Sequence, residues 1–267
     1  MYGAVLGDII GSPYEFDRSG KTKDFPLFSP ESRFTDDTVM TVAVANAFLS
    51  LSSDASEACI LQTLVQSMQH FGRRYADIGY GAKFLNWLMT ENPQPYGSWG
   101  NGSAMRVAAA GWLFEDLDTV QRMARLSAVV SHNHPEAVSG AEAVASAIYL
   151  ARTGHSKEHI KNDLVHQFGY DLSRSCDEIR PGYRHDVRCQ GTVPEAITAF
   201  LEGNDFEDVI RTAVSLGGDC DTLTCIAGAM AEAFYGVPQH LKETADQYLP
   251  EDLADVLLRF QHRICKK

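Results

Sequence analysis

Along this chain apolar residues recur at three- and four-residue steps and almost never alternate with polar ones, a period that predicts helices and leaves nearly nothing that reads as a strand. Residues 1–11 hold Gly3, Gly7 and Gly11 four apart, with apolar residues between them. Small residues at that step share one helix face and let a neighbouring helix come close, so a tightly packed central helix is expected here. A polar, Phe-rich connection over 16–33 follows. Thr35 then fits an N-cap with Asp36 and Asp37 in the first turn, and an Ala/Val-rich helix runs on over 39–49. Amphipathic helices are predicted over 55–70 and 77–89. Prolines and glycines mark 92–102 as a loop.

Helices resume over 103–114 and 119–130. Pro135 suits a first helical turn and opens an Ala-rich helix to about 152, followed by another over 156–168. Residues 170–191 mix Arg, Asp, Pro, Gly and Cys without period and read as a long loop. Thr192-Val193-Pro194-Glu195 fits a capping box at the start of a helix to 201. Further helices are predicted over 205–215, 222–235, 239–248 and 251–264, with Gly236 ending one and Pro238 just beyond it. No fixed repeat, low-complexity tract or linker interrupts the pattern, so the expectation is an all-α fold in one compact domain over 1–267.

Composition narrows the class. With 267 residues, 45% of them hydrophobic, the chain can bury a sizeable core. A net charge of -12 argues against nucleic acid or an anionic membrane as the main partner. The six cysteines form no CxxC pair, the opening Met1-Tyr2-Gly3-Ala4 lacks the basic region of a signal peptide, and no apolar run is long enough to span a bilayer. A cytoplasmic protein with reduced thiols is expected.

Two acidic turns far apart in sequence carry the candidate chemistry. One is Phe34-Thr35-Asp36-Asp37-Thr38; the other is Gly217-Gly218-Asp219-Cys220-Asp221-Thr222. Either turn alone also reads as helix capping, because acidic residues favour a first helical turn. Together they place four carboxylates and hydroxyls at two helix starts, which is more than capping requires. Oxygen ligands of this kind suit a hard divalent cation such as Mg²⁺, Mn²⁺ or Ca²⁺. If the turns meet in space, the arrangement predicts a metal-dependent hydrolase.

Other motifs are open to two readings each. Ser98-Trp99-Gly100-Asn101-Gly102-Ser103-Ala104-Met105-Arg106 is either an ordinary glycine turn or a phosphate cradle before a helix. Asp77 fits a helix cap, and Glu15 a solvated carboxylate. In His132-Asn133-His134-Pro135-Glu136 the two histidines are too badly spaced to ligate from one helix, leaving hydrogen bonding or capping by Asn133. Arg180, Tyr183, Arg184, His185 and Arg188 either meet a phosphate-bearing ligand or decorate the surface. Cys220 and Cys225 sit in an apolar stretch and read as core. Neither a Gly-x-Ser-x-Gly elbow nor a P-loop is present.

Taken in order, these motifs resemble the ADP-ribosylglycohydrolase family. The match opens with Gly7-Asp8-Ile9-Ile10-Gly11-Ser12-Pro13-Tyr14-Glu15-Phe16 and passes through Phe34-Thr35-Asp36-Asp37-Thr38, Asp77-Ile78-Gly79, Gly100-Asn101-Gly102-Ser103-Ala104-Met105-Arg106 and Ser131-His132. It closes with Gly217-Gly218-Asp219-Cys220-Asp221-Thr222 and Tyr235-Gly236. Each motif is modest; their order and spacing are specific.

The resemblance implies a compact orthogonal helical bundle with two divalent metal ions, Mg²⁺ or Mn²⁺, held by Thr35, Asp36, Asp37, Asp219, Asp221 and Thr222. It implies proton transfer by Asp77 or Glu15. It also implies a substrate cleft in which Ser98, Trp99, Gly100, Asn101, Gly102 and Ser103 hold the diphosphate, with Met105 and His132 beside the substrate. Trp99, Tyr96 and Tyr183 are the candidates for stacking on adenine. The implied reaction is glycosidic: hydrolysis of the ribose C1″ bond that joins ADP-ribose to an acceptor such as a protein arginine or serine. A non-catalytic ADP-ribose binder and a hydrolase of another small nucleotide glycoside are the alternatives. All six expected metal positions carry ligating residue types. The chain is short for the family, so trimmed loops over the acceptor are expected.

Overall fold

The structure, a computed structural model, describes residues 1–266. Its helices are α1 (Tyr2–Gly11), α2 (Asp36–Ser50), α3 (Glu57–Arg74), α4 (Ala82–Met89), α5 (Gly102–Met105), α6 (Ala108–Leu113), α7 (Leu117–Val129) and α8 (Pro135–Arg152). They continue with α9 (Lys157–Phe168), α10 (Cys176–Ile179), α11 (Cys189–Glu202), α12 (Phe206–Leu216), α13 (Cys220–Tyr235), α14 (Gln239–Asp246) and α15 (Glu251–Cys265). Among the described residues there is no strand, only an isolated antiparallel bridge between Gly100 and Arg188. No helix among them is long and apolar enough to cross a membrane.

The glycine step at the start of the chain becomes a backbone contact between α1 and α13. A Cβ on Gly3 would stand 2.1 Å from Gly228 O, one on Gly7 2.2 Å from Thr224 O, and one on Gly11 2.7 Å from Cys220 O. Only residues without a Cβ permit this approach. Every residue of α1 is buried, as expected of a central helix. Apolar side chains of the surrounding helices close around the pair in one connected core, which includes Cys220 and Cys225. All six cysteines are unpaired thiols.

Five local expectations are corrected. The helix expected from 77 begins only at Ala82, behind a turn in which Gly79 has φ +122°. The helix expected over 103–114 is broken at Arg106 and Val107, where the Arg106 guanidinium turns inward to Ser127 O and Ser131 Oγ. The capping box at Thr192 does not form. Helix α11 starts at Cys189, Pro194 lies inside it, and the Thr192 hydroxyl is used elsewhere, donating to Asp186 O at 2.8 Å. A capping box does form at Ser175 and Glu178, within the segment expected to be loop. At the start of α8 the capping atom is His134 Nδ1; Asn133 Oδ1 instead accepts from Gly97 N at 2.7 Å.

Candidate active site

Thr35 caps α2 by accepting from Asp37 N, so Asp36 and Asp37 emerge at the first turn as their sequence predicts. Asp219 stands at the N-cap of α13, after Gly217 and Gly218 turn the chain through φ of +72° and +77°. The packing of α1 on α13, with α2 beside them, brings the two helix starts together. Thr222 Oγ1 donates to Asp37 Oδ2 at 3.1 Å, a contact across 185 positions of sequence.

A third helix supplies a carboxylate that sequence reasoning did not assign to the site. Asp8 of α1 is fully buried. It accepts from Thr35 N (2.8 Å), Thr35 Oγ1 (2.7 Å), Thr38 N (3.1 Å) and Thr38 Oγ1. It thereby clamps the first turn of α2. Its signal in the sequence is one acidic residue in an otherwise apolar helix, which has to be paid for by specific partners.

Carboxylate oxygens of Asp8, Asp37 and Asp221 lie within 4.8 Å of one another, and so do those of Glu15, Asp219 and Asp221. Asp221 belongs to both groups. Asp37 is 2% and Asp221 4% exposed, and Asp37 Oδ1 is buried with no hydrogen-bond partner. Burial, then the Asp8 carboxylate, pushes Asp37 well above the usual carboxylate range and Asp36 up to about 8. Asp221 is pushed well up by burial and then by Asp37, and Glu15 is raised by burial and then by Asp219. Burial also raises Asp219, against the hydrogen bond from Asn101 Nδ2 at 2.6 Å. So many buried carboxylates without a cation beside them resist ionisation; bound positive charge relieves this. The orphaned Asp37 oxygen and the all-oxygen donor set fit a hard divalent ion.

Except for Asp8, which is buried behind them, these residues line a cavity of about 540 Å³. Of the expected site residues, Glu15, Asp36, Asp37, Ser98, Trp99, Gly100, Asn101, Gly102, Met105, His132, Asp219, Asp221 and Thr222 line it. Tyr96, His185 of the basic segment and, unforeseen, Phe84 and Phe16 supply further rings to its walls. Phe16 and Trp99 are exposed at 57% and 43%. Thr35 and Ser103 are buried behind the lining, and the Ser103 hydroxyl donates to Ala137 O at 2.8 Å.

Two expected site residues stand apart from the cavity lining. Asp77 is exposed in the turn after α3; its neighbour Gly79 is the residue that reaches the site, where a Cβ would stand 3.1 Å from Asp36 Oδ1. Tyr183 lines a neighbouring cavity with Arg174 and Glu178, and its hydroxyl donates to Gly191 O at 3.0 Å. Of the basic cluster around it, His185 alone faces the acidic cavity. Arg188 pairs with Asp186 at 2.6 Å, and Arg180 with Asp177.

Residues 1–265 match the sequence model of the ADP-ribosylglycohydrolase family. The chain is 27% identical to human (Homo sapiens) ADP-ribosylhydrolase ARH3 over 344 aligned positions, covering 100% of this chain and 93% of that protein. It is also 27% identical to the ADP-ribosylarginine hydrolase Tri1 of Pseudomonas putida, over 89% of this chain and 70% of that one. A solved structure described as an ADP-ribosylglycohydrolase-related protein complex superposes with a TM-score of 0.72 at 25% identity, covering 98% of this chain and 95% of its own. On a match that runs nearly from end to end, the chain belongs to the ADP-ribosylglycohydrolase family.

Proposed function

We propose that this protein is a metal-dependent hydrolase that cleaves the ribose C1″ bond between ADP-ribose and an acceptor, such as a modified protein side chain. The observation that carries the reading is the Thr222–Asp37 contact at 3.1 Å, which joins the two acidic turns in the lining of one cavity. Asp36, Asp37, Asp219, Asp221, Thr35 and Thr222 are the residues that would hold two divalent ions, Mg²⁺ or Mn²⁺. The chemistry supplied by ions held there would be the orientation of ribose hydroxyls and a lowered pKa for a water.

The chain's own residues do the rest. Asp8 clamps the α2 turn, and Asn101 Nδ2 holds Asp219 at 2.6 Å, so the carboxylates keep their places as charge changes around them. Glycosidic cleavage develops positive charge on the ribose. Glu15 is the better-placed proton carrier: it lines the cavity, where burial and then Asp219 raise its pKa, whereas Asp77 lies outside the lining. The N–H groups of Gly100 and Asn101 are taken by Ser98 Oγ and Val187 O, so diphosphate contact falls to Ser98, Trp99 and Gly102. Trp99 and Tyr96 are the stacking surfaces for adenine.

The test is release of ADP-ribose from arginine- and serine-modified substrates side by side, with Mg²⁺ and with excess chelator. Metal-dependent release from at least one is expected. Binding without release in a single-turnover assay would favour a non-catalytic relative, and release that survives extensive chelation would refute the metal role. The alignment with human ARH3 spans 344 positions against 267 residues here, so that relative carries inserted segments this chain lacks.

A further inference from the structure

The reaction assigned above gives no role to Arg106, although it is fully buried in the cavity wall. Its Nη2 donates to Ser127 O at 2.7 Å and to Ser131 Oγ at 2.9 Å, and its Cζ lies 5.6 Å from the centroid of the Phe84 ring. Ser131 is fully buried too, and among the described residues its hydroxyl has one other partner, His132 Nδ1 at 2.8 Å. A guanidinium has no lone pair and can only donate. The Ser131 oxygen therefore accepts from Arg106, and since its buried O–H has no other acceptor among the described residues, its proton goes to His132 Nδ1; an Nδ1–H there would leave that O–H unpaired. Burial, then Arg106, holds His132 well below the usual histidine range, so the ring is neutral and its single proton is on Nε2.

We propose that Arg106 and Ser131 are positioning residues that lock His132 in the Nε2–H tautomer, so that it presents a hydrogen-bond donor, not a base, to a ligand oxygen. Nε2 faces the Gly100–Gly102 turn: a Cβ on Gly102 would stand 3.0 Å from it, and one on Gly100 3.7 Å. Among the described residues Nε2 makes no hydrogen bond. Phe84 and Tyr96, with ring centroids 5.8 and 5.7 Å away, hold the imidazole edge-on. The ligand atom opposite must carry a lone pair, as a hydroxyl or phosphoryl oxygen does. A locked donor takes no proton during hydrolysis and cannot ligate a cation through Nε2. The identity of that oxygen rests on the proposed reaction; the tautomer is a property of the free protein.

Two-bond ¹H–¹⁵N spectra of the full chain labelled with ¹⁵N-histidine test this, with His132 assigned by the signals lost in His132→Gln. The expected wild-type pattern is an acceptor-type Nδ1 and a protonated Nε2. Ser131→Ala should mix the tautomers and weaken ADP-ribose binding about tenfold, the loss of roughly one oriented hydrogen bond, while Ser131→Thr restores the wild-type pattern. A protonated Nδ1 in the wild type, or an unchanged pattern in Ser131→Ala, overturns the proposal. If Ser131→Ala fails to fold, the wild-type spectrum decides alone. Failure of the wild type to bind ADP-ribose counts against the assigned reaction, while the expected tautomer would still support the lock.

Discussion

Replacing Asp37 by Asn should stabilise the metal-free fold, although it removes a residue proposed to hold the cation. Asp37 is 2% exposed, is surrounded by Asp8, Asp36, Asp219 and Asp221, and keeps one oxygen without a partner. Its pKa in the folded protein lies well above that in the unfolded chain, so the folded state binds the proton more tightly. Stability from such a group is fully present below the unfolded value and is lost as pH rises through the folded one. The loss runs at up to about 1.4 kcal/mol per pH unit for each group. Asn carries no charge and does not suffer it. At roughly 2–4 °C per kcal/mol for a chain of this size, the melting temperatures of variant and wild type should diverge by about 3–6 °C per pH unit. Thermal unfolding in chelator between pH 5 and 8 measures this. The variant should already melt above the wild type at pH 5, which lies above the unfolded pKa, and the gap should widen as pH rises toward the folded one. Added Mg²⁺ should reverse the order, because it stabilises only the protein that binds it. A variant destabilised equally at every pH, with Mg²⁺ without effect on either protein, would refute the reasoning.

Asp219→Ala and Asp36→Ala should each abolish hydrolysis, by at least about a thousandfold, with helical circular dichroism intact; activity within tenfold of wild type would exclude them from the centre. Asn101→Ala removes the donor that holds Asp219 Oδ2 and should weaken divalent-ion binding about tenfold in a calorimetric titration. Gly7→Ala forces a Cβ to 2.2 Å from the Thr224 carbonyl, a backbone atom that cannot step aside; about 3 kcal/mol of destabilisation by urea unfolding is expected, and a loss under 1 kcal/mol would contradict the close packing of α1 on α13. Trp99→Ala, at a residue 43% exposed on the cavity wall, should raise KM about tenfold with little change in kcat, as loss of a stacking surface does.

Features written locally were legible in the sequence. Thr35 as a cap, the paired acidic turns and the four-residue glycine step each depend on neighbours within one or two helical turns, and each appears in the structure as read. What depends on tertiary direction was not. Asp8 is one acidic residue in an apolar helix, and nothing nearby announces that its partners are Thr35 and Thr38. Tyr183 is one aromatic in an irregular segment, and no period tells which wall it faces; its ring packs on Gly218 and its hydroxyl turns to Gly191 O in the neighbouring cavity. The Thr192 capping pattern was present, but the bridge of Gly100 to Arg188 and the bond from Cys189 N to Trp99 O accompany a helix capped at Arg188, four residues earlier. Arg106 looked like one more residue of a helix, and its inward turn became visible only with Ser127 and Ser131 in place.

The central claim is that two distant acidic turns build one binuclear cation site, with Asp221 shared between its halves. Titrating Mn²⁺ into the metal-free protein and following it by electron paramagnetic resonance tests this directly. The account predicts saturation at two ions per chain with a spin-coupled spectrum, and loss of the coupling in Asp221→Asn. Two magnetically isolated ions, or a coupled pair that persists without the Asp221 carboxylate, would contradict it.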